Sequence, residues 1–334
     1  MNPTTYEDLH REVSADIDAE IDSALLGLGP AADEVRAAIR RLLHHQKFAY
    51  PLSVLPMLVH GVETGATAPA CPLAAVHLLW WTSACYLDDL ADGHGTSPAA
   101  GLDPAEAVLA AVIGGNALPV RIVRAQQLPE AVRGALIAEL MNGWITAVEG
   151  QLADMRGDVG RATRNSVLTA YTSKSGGPYA MITAMASILA GNSARRTELW
   201  RDFGDVFGVL WQIFNDQWDI TTGRNEDLRN GTVTYLLASV LEDAPPRLRR
   251  HIPELAEAAA DSAAARSELL ALLLAPAALD RYREDIGTHR ARAHRILDEL
   301  GGNGRYSAAL RRLVDLSAQM ILTPGAHSAG VRAG

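Results

Sequence analysis

Cys85-Tyr86-Leu87-Asp88-Asp89-Leu90-Ala91-Asp92 closes an apolar run that begins near residue 73, and the chain continues into Gly93-His94-Gly95. Read as helix, this segment projects Asp88 and Asp92, four residues apart, from one face, with Asp89 beside them. Like charges at that spacing repel, and the negative end of the helix dipole adds to the repulsion. A solvated helix end is the ordinary explanation for a single acidic trio. Here the pattern recurs in Gly208-Val209-Leu210-Trp211-Gln212-Ile213-Phe214-Asn215-Asp216-Gln217-Trp218-Asp219, where Asn215 and Asp219 are four apart with Asp216 between them. A long apolar helix again ends in oxygen donors.

Outward from these two segments, Ala, Leu, Arg and Glu dominate and β-branched alternation is scarce, so helical periodicity wins in nearly every window. The reading is an all-α chain, one large helical domain over residues 1–323 followed by a flexible tail over 324–334. Helices are expected at residues 73–91, 103–114, 129–155, 162–174, 178–190, 195–221 and 306–322, among others, with Gly/Pro punctuation at 93–104, 157–160 and 223–231. No composition shift or fixed-period repeat divides the chain.

The 334 residues are 48% hydrophobic and only 5% aromatic, enough for a large aliphatic core. A formal net charge of −9 argues against a nucleic-acid footprint and favours cationic or metal-bridged partners. Cys71 and Cys85 lie in apolar surroundings and read as buried thiols of a reducing cytoplasm, not a disulfide framework. The acidic amino terminus has no signal-peptide pattern, and the apolar stretches around residues 107–113 and 269–279 fall short of the ~20 residues a bilayer span needs. A cytoplasmic protein without a transmembrane segment is expected. Two oxygen-rich helix ends flanked by aromatics suit Mg²⁺, a hard ion that combines a few carboxylates with phosphate oxygens and water. The guest that fits is a diphosphate on an apolar tail.

At these residues the sequence resembles the trans-isoprenyl diphosphate synthases, the polyprenyl synthetase family, whose two aspartate-rich motifs bind an allylic diphosphate through Mg²⁺. Asp88, Asp89 and Asp92 match the first motif; Asn215, Asp216 and Asp219 match the second with Asn for its first Asp, and Gly208 and Gln212 fall where the family has its glycine and glutamine. Gly150-Gln151-Leu152-Ala153-Asp154 resembles the family's Gly-Gln-x-x-Asp, and Tyr171-Thr172-Ser173-Lys174-Ser175-Gly176 resembles its Lys-Thr helix break. The resemblance covers roughly residues 45–240. It implies an isoprenoid synthase helical bundle with a central apolar cavity reached by Gln151 and Gln212. It also implies several Mg²⁺ ions on the six motif residues bridging the diphosphate, Lys174 on that diphosphate, backbone groups freed at Gly176-Gly177-Pro178, and a homodimer.

The departures from the family cluster in one function, the binding of the second substrate, isopentenyl diphosphate. The family's Gly-Lys-Arg-x-Arg-Pro segment reads His45-Gln46-Lys47-Phe48-Ala49-Tyr50-Pro51, leaving Lys47 as its cation. Trp81 occupies the upstream His position with His77 one turn away, no Arg pair lies between Asp92 and Asp103, and Thr232 stands where the family has a lysine. A diphosphate stripped of its cationic partners has little to offset desolvation. Arg224 and Arg229, on the Gly-flanked loop after the second motif, are expected to replace the lost contacts. Trp80, Trp81, Trp144, Trp211, Phe214 and Trp218 lie on segments resembling the cavity-lining helices, where indole faces attract cations, although a Trp on an apolar helix is more often core. Ser83 and Ala84 are small where short-chain synthases carry bulk, a pattern resembling enzymes that admit tails of about twenty carbons or longer.

The leading expectation is Mg²⁺-dependent ionisation of an allylic prenyl diphosphate of about fifteen to twenty carbons or longer, with terpene synthase-type cyclisation or rearrangement and release of diphosphate. One alternative is a prenyltransferase, either a divergent polyprenyl diphosphate synthase or an enzyme with another acceptor. The other is a non-catalytic regulatory subunit of a prenyl synthase, against which the intact first motif argues. Residues 93–104 and 223–231 are the expected lids.

Overall fold

The computed structural model describes residues 5–45, 48, 50–91 and 103–324. No strand occurs among them, in agreement with the all-α expectation. In chain order the helices are α1 Tyr6–Leu26, α2 Asp33–His45, α3 Leu55–Thr64, α4 Cys71–Ala91, α5 Pro104–Val112, α6 Leu118–Ala125, α7 Glu130–Met155, α8 Arg164–Tyr171, α9 Gly177–Leu189, α10 Ala194–Thr221, α11 Glu226–Asn230, α12 Tyr235–Asp243, α13 Pro246–Ala259, α14 Ala263–Leu273, α15 Pro276–Leu300 and α16 Gly304–Ser317. Side-chain oxygens of Thr5, Asp103, Thr163, Thr234 and Ser262 each accept a backbone N–H at a helix start, satisfying donors the helix leaves orphaned.

Two expected helix ends are absent. Ile113–Ala117 and Thr172–Gly176 are π-helical turns, so α5 runs on into α6 and α8 into α9. Each turn ends two residues before a proline, Pro119 or Pro178. In an α-helix those rings would clash with the carbonyls of Gly115 and Lys174, four residues back, and the wider turn relieves the clash without breaking the helix. The Gly-Gly pairs that read as stops are the soft points where the widening occurs. The expected backbone break at Gly176-Gly177-Pro178 is therefore corrected to a π turn.

The chain resolves into two compact units, each drawn from three stretches: Met1–Gly143, Ala180–Arg201 and Leu297–Leu313 in unit 1, and Trp144–Tyr179, Asp202–Ile296 and Val314–Gly334 in unit 2. Their interleaving explains why no linker is visible in the sequence.

In unit 1, α4 is the central helix, packed by α1, α2, α3, α5, α6 and the 113–117 turn. Ser83 is buried, with its Oγ 3.3 Å from where a Cβ on Gly114 would stand, so its small size serves this helix contact. Trp80 is fully buried and stacks on Trp81 at 5.7 Å. Two stretches, Ala68–Ala91 and Pro104–Ala125, are long and apolar enough to cross a membrane by length and composition, which corrects the expectation that none reaches that length. The most apolar part of the first is 67% buried within the protein, and that of the second 50%.

In unit 2, α12 packs on α8 and α13 on α14, and Tyr171, Ile213, Tyr235 and Tyr282 are buried. Helix α16 stops short of the expected residue 322 because the buried Gln217 captures the chain beyond it: its Nε2 donates to the Gln319 carbonyl at 3.1 Å, and the Ile321 N–H donates to its Oε1 at 2.9 Å.

Helix α7 carries an exposed seam. Gly134, Ala138, Met141, Ile145, Val148, Leu152 and Met155 alternate at spacings of four and three, and all seven are exposed, the five larger ones by 36% to 62%.

Candidate functional site

The candidate site in unit 2 grows from the π turn Thr172–Gly176, which α7 and α10 clasp closely. A Cβ on Gly150 of α7 would stand 2.2 Å from the Lys174 backbone nitrogen, and one on Gly208 of α10 would stand 2.4 Å from the Ser175 carbonyl oxygen. Real Cβ atoms do not approach backbone so closely, so both positions require glycine for the turn to seat.

Hydrogen bonds tie the seated turn to α10. Ser175 Oγ donates to Gln212 Oε1 at 2.7 Å, and Gln212 Nε2 donates to Asp216 Oδ1 at 2.9 Å. The other oxygen, Asp216 Oδ2, accepts the Tyr171 hydroxyl at 2.5 Å, and that hydroxyl accepts the Tyr235 N–H at 3.1 Å. Lys174 Nζ reaches Asp154 Oδ2 at 2.8 Å, with both side chains mostly shielded from solvent. Asp219 accepts the N–H groups of Glu226 and Asp227 at 3.1 and 3.3 Å, so it fixes the start of α11. Arg224 lies between Asp219 and Glu226, at 3.6 and 3.4 Å.

Carboxylates outnumber cations in this basin. Burial pushes Asp216 up to about 7, with the Asp154 charge adding to the rise and the Tyr171, Gln212 and Lys174 interactions opposing it. Asp227 is held well above the usual carboxylate range, first by burial and then by the Asp216 and Asp219 charges. Tyr171 is likewise raised, by burial and then by Asp216. A cation-poor cluster of oxygen donors is the environment in which a divalent ion or a metal-bridged anion is favoured.

The sequence-predicted residues fall into distinct places. Asp216 and Asp219 are buried, whereas Asn215 is exposed. On α10, rings of Phe203, Phe207, Trp211, Phe214 and Trp218 follow one another at 5.6–6.3 Å, from a fully buried end to Trp218, which is 41% exposed. Trp81, Ala84 and Trp144 are half-buried. Gln151 has both amide atoms buried without a hydrogen-bond partner among the described residues. Arg229 is exposed in the last turn of α11. In unit 1, Asp88 is half-buried and Asp89 exposed near the end of α4. Lys47, Asp92, the 93–102 part of one expected lid and residues 325–334 of the expected tail lie outside the described residues.

Tyr171, Ser175, Asp227 and Tyr235 were not singled out by sequence reasoning. Their roles come from contacts made across helices, and the available signal was Pro178, which places the π turn.

Comparisons with known proteins bear on the family and the fold. Residues 102–273 match the polyprenyl synthetase family, a span that begins beyond Asp92 and takes in Gly150, Lys174 and the second acidic motif. No curated protein matches the chain. Among solved structures it is similar to a decaprenyl diphosphate synthase from Rhodobacter capsulatus, at TM-score 0.77 and 17% identity over 94% of this chain and 99% of that one. It is also similar to the polyprenyl synthase from Caulobacter crescentus CB15 complexed with calcium and isoprenyl diphosphate, at TM-score 0.76 and 17% identity over 96% and 99%. The geranylgeranyl pyrophosphate synthetase from Pyrococcus horikoshii Ot3 gives TM-score 0.73 and 18% identity over 94% and 99%. At such identities these structures establish the shared fold. With the family match spanning more than half of its length, the chain belongs to the polyprenyl synthetase family.

Proposed function

We propose that the protein is a Mg²⁺-dependent prenyltransferase that ionises an allylic prenyl diphosphate and passes the allyl group to an acceptor. The observation that carries this reading is Lys174, set on a π turn between two obligatory glycines and surrounded by Asp154, Asp216 and Asp227. The family membership and the diphosphate synthases of like fold support transfer over the cyclisation expected from sequence.

The donor set fits Mg²⁺. Among the described residues no three His, Cys, Asp or Glu side chains form a ready metal cage, and Mg²⁺ commonly takes one or two carboxylates per ion and completes its shell with phosphate and water. By the family resemblance, Asp88, Asp89 and Asp92 of the first motif and Asn215, Asp216 and Asp219 of the second would offer those oxygens. When bound, the ion would neutralise charge building on the leaving diphosphate. Lys174 would exchange its Asp154 partner for a diphosphate oxygen. The allylic C–O bond breaks with both electrons leaving on the diphosphate, the acceptor's electron pair forms the new bond to the allylic carbon, and the acceptor loses a proton.

The test incubates the protein and Mg²⁺ with geranyl, farnesyl or geranylgeranyl diphosphate, with and without isopentenyl diphosphate. A longer diphosphate appearing only with isopentenyl diphosphate is the expected product, and Lys174→Ala lowers kcat/KM by about 10²-fold or more. A hydrocarbon formed without a second substrate would favour the second reading, cyclisation. Thr232 and Trp81 standing where the family has a lysine and a histidine motivate that reading. No turnover with any diphosphate would favour the regulatory-subunit alternative.

We infer also that two copies pair through the α7 seam. A four-three repeat is the spacing that meets a second helix of the same repeat, and an antiparallel self-pair uses one patch twice.

A further inference from the structure

Among the described residues, Lys174 and Arg224 are the cations paired with the acids of the candidate basin, and they are held differently. Lys174 is bonded to Asp154 at 2.8 Å, with both side chains mostly shielded. Arg224 stands 3.6 Å from Asp219 and 3.4 Å from Glu226, and its side chain is 46% exposed. Neither contact is a hydrogen bond, and its guanidinium donates to no other described residue. A guanidinium carries five N–H donors in a planar fork that matches phosphate oxygens. Arg224 thus lies against the basin with its donors unused.

The backbone accounts for this placement. Helix α10 ends at Thr221, and the residues on either side of Arg224, Gly223 and Asn225, both take left-handed φ values of +74° and +50°. Glycine adopts that conformation freely and closes the helix, whereas asparagine adopts it seldom. Here the Asn225 N–H donates to the Asp219 carbonyl at 3.3 Å, and its Nδ2 donates to the Gly223 carbonyl at 3.1 Å. The loop so turned folds back over the end of α10, and the N–H groups of Glu226 and Asp227 close on the Asp219 carboxylate. An arginine beyond a helix C-terminus is ordinarily a solvated complement to the helix dipole. Arg224 is instead turned back onto a carboxylate of the second acidic motif, for which a divalent ion and a guanidinium compete. Arg229, paired with Arg224 in the sequence expectation, is exposed in the last turn of α11.

We propose that Arg224 is a diphosphate-binding residue held back by Asp219 and Glu226, which turns to the phosphate oxygens of the substrate when Asp219 takes up a divalent ion. The assignment rests on the prenyltransferase reading for the identity of the substrate, and inorganic diphosphate tests it without turnover. Two competitions follow. Glu226 competes with the diphosphate for the guanidinium, and Arg224 competes with the ion for Asp219.

The experiment titrates Mn²⁺ into the protein alone by electron paramagnetic resonance, and inorganic diphosphate by calorimetry at saturating Mg²⁺. Arg224→Ala is expected to tighten Mn²⁺ binding by about two- to fivefold and to weaken diphosphate binding by about tenfold. Those opposite signs separate a binding role from a structural one, in which both affinities fall. Arg224→Lys, which keeps the charge without the fork, is expected to recover part of the diphosphate affinity. Glu226→Gln is expected to tighten diphosphate binding by about two- to fivefold. Arg283→Ala, which breaks an exposed pair with Asp280 on α15, is expected to stay within about twofold of the parent in both titrations. In turnover, Arg224→Ala is expected to raise KM for the allylic diphosphate by about tenfold. Unchanged diphosphate affinity in Arg224→Ala, a fall in both affinities together, or a larger diphosphate loss in Arg229→Ala than in Arg224→Ala would overturn the proposal. So would a parent that binds no inorganic diphosphate. If the parent binds it but turns over no allylic diphosphate, the prenyltransferase reading falls, and the two titrations still decide the role of Arg224.

Discussion

Gly150 and Gly208 carry the most constrained backbone contacts of the candidate site, and each lacks a side chain for a reason that can be measured. Adding a methyl at Gly208 drives it onto the Ser175 carbonyl, a backbone atom that cannot rotate away. Gly208→Ala is expected to destabilise the protein by about 3 kcal/mol, the upper end of overpacking costs, in urea unfolding. Gly287→Ala on α15, where a Cβ meets nothing within 4 Å, is expected to stabilise by about 0.5–1 kcal/mol through helix propensity. Equal effects of the two changes would remove the close-clasp explanation. At this scale the sequence was legible where a motif marks its residues: Gly150, Lys174, Gly208, Gln212 and the acids were all named in advance. Tyr171 and Asp227 were not, because a tyrosine three residues before a lysine has meaning only once a π turn rotates it toward α10. Ser83, whose small size read as room for a long substrate tail, is buried on α4 against Gly114.

The helices were legible from periodicity, and the two π turns were not. Gly-Gly followed by proline has the composition of a stop, and the physical difference between a stop and a widened turn lies in whether neighbouring helices hold the segment in place. Helix α6 was missed for this reason, since Gly114-Gly115 appeared to end α5. Helix α4 offers a pH test of its burial. His77 is fully enclosed, and burial pushes it down to about 4 from an ordinary 6.5, opposed by hydrogen bonding to the backbone of Leu52 and Ser53. A histidine held neutral in the fold binds its proton more readily when unfolded. Its contribution is therefore intact above pH 6.5 and lost as pH falls from 6.5 toward 4. The loss amounts to about 3 kcal/mol over that window. Urea unfolding of parent and His77→Leu at pH 7 and pH 4 checks it. The variant is expected to lose less stability on acidification by that amount, and parallel losses would show that His77 is not a buried neutral group.

At the scale of the whole molecule, the interleaving of the two units removed any composition boundary that sequence reading could detect, so one domain was the economical expectation. The apolar character of α4 and the 104–125 stretch likewise reads differently once their packing within unit 1 is known, because a helix surrounded by other helices is apolar on nearly every face. The α7 seam is the counterexample, an apolar repeat that the chain itself leaves exposed. Gly134 to Met155 spans three full heptad intervals, about 31 Å of helix at 1.5 Å per residue. Ile145, near its middle, is 62% exposed. Ile145→Glu would set two like charges near each other at the centre of an antiparallel pair while costing the isolated chain little, since the side chain already faces solvent. The expected outcome in sedimentation equilibrium is a dimer for the parent and a monomer for Ile145→Glu, with the far-ultraviolet circular dichroism of the two superimposable. Val35→Glu on α2, another exposed apolar site away from the seam, is expected to leave the dimer intact. A dimer that survives Ile145→Glu would place the contact elsewhere, and a monomeric parent would leave the seam to a different partner helix.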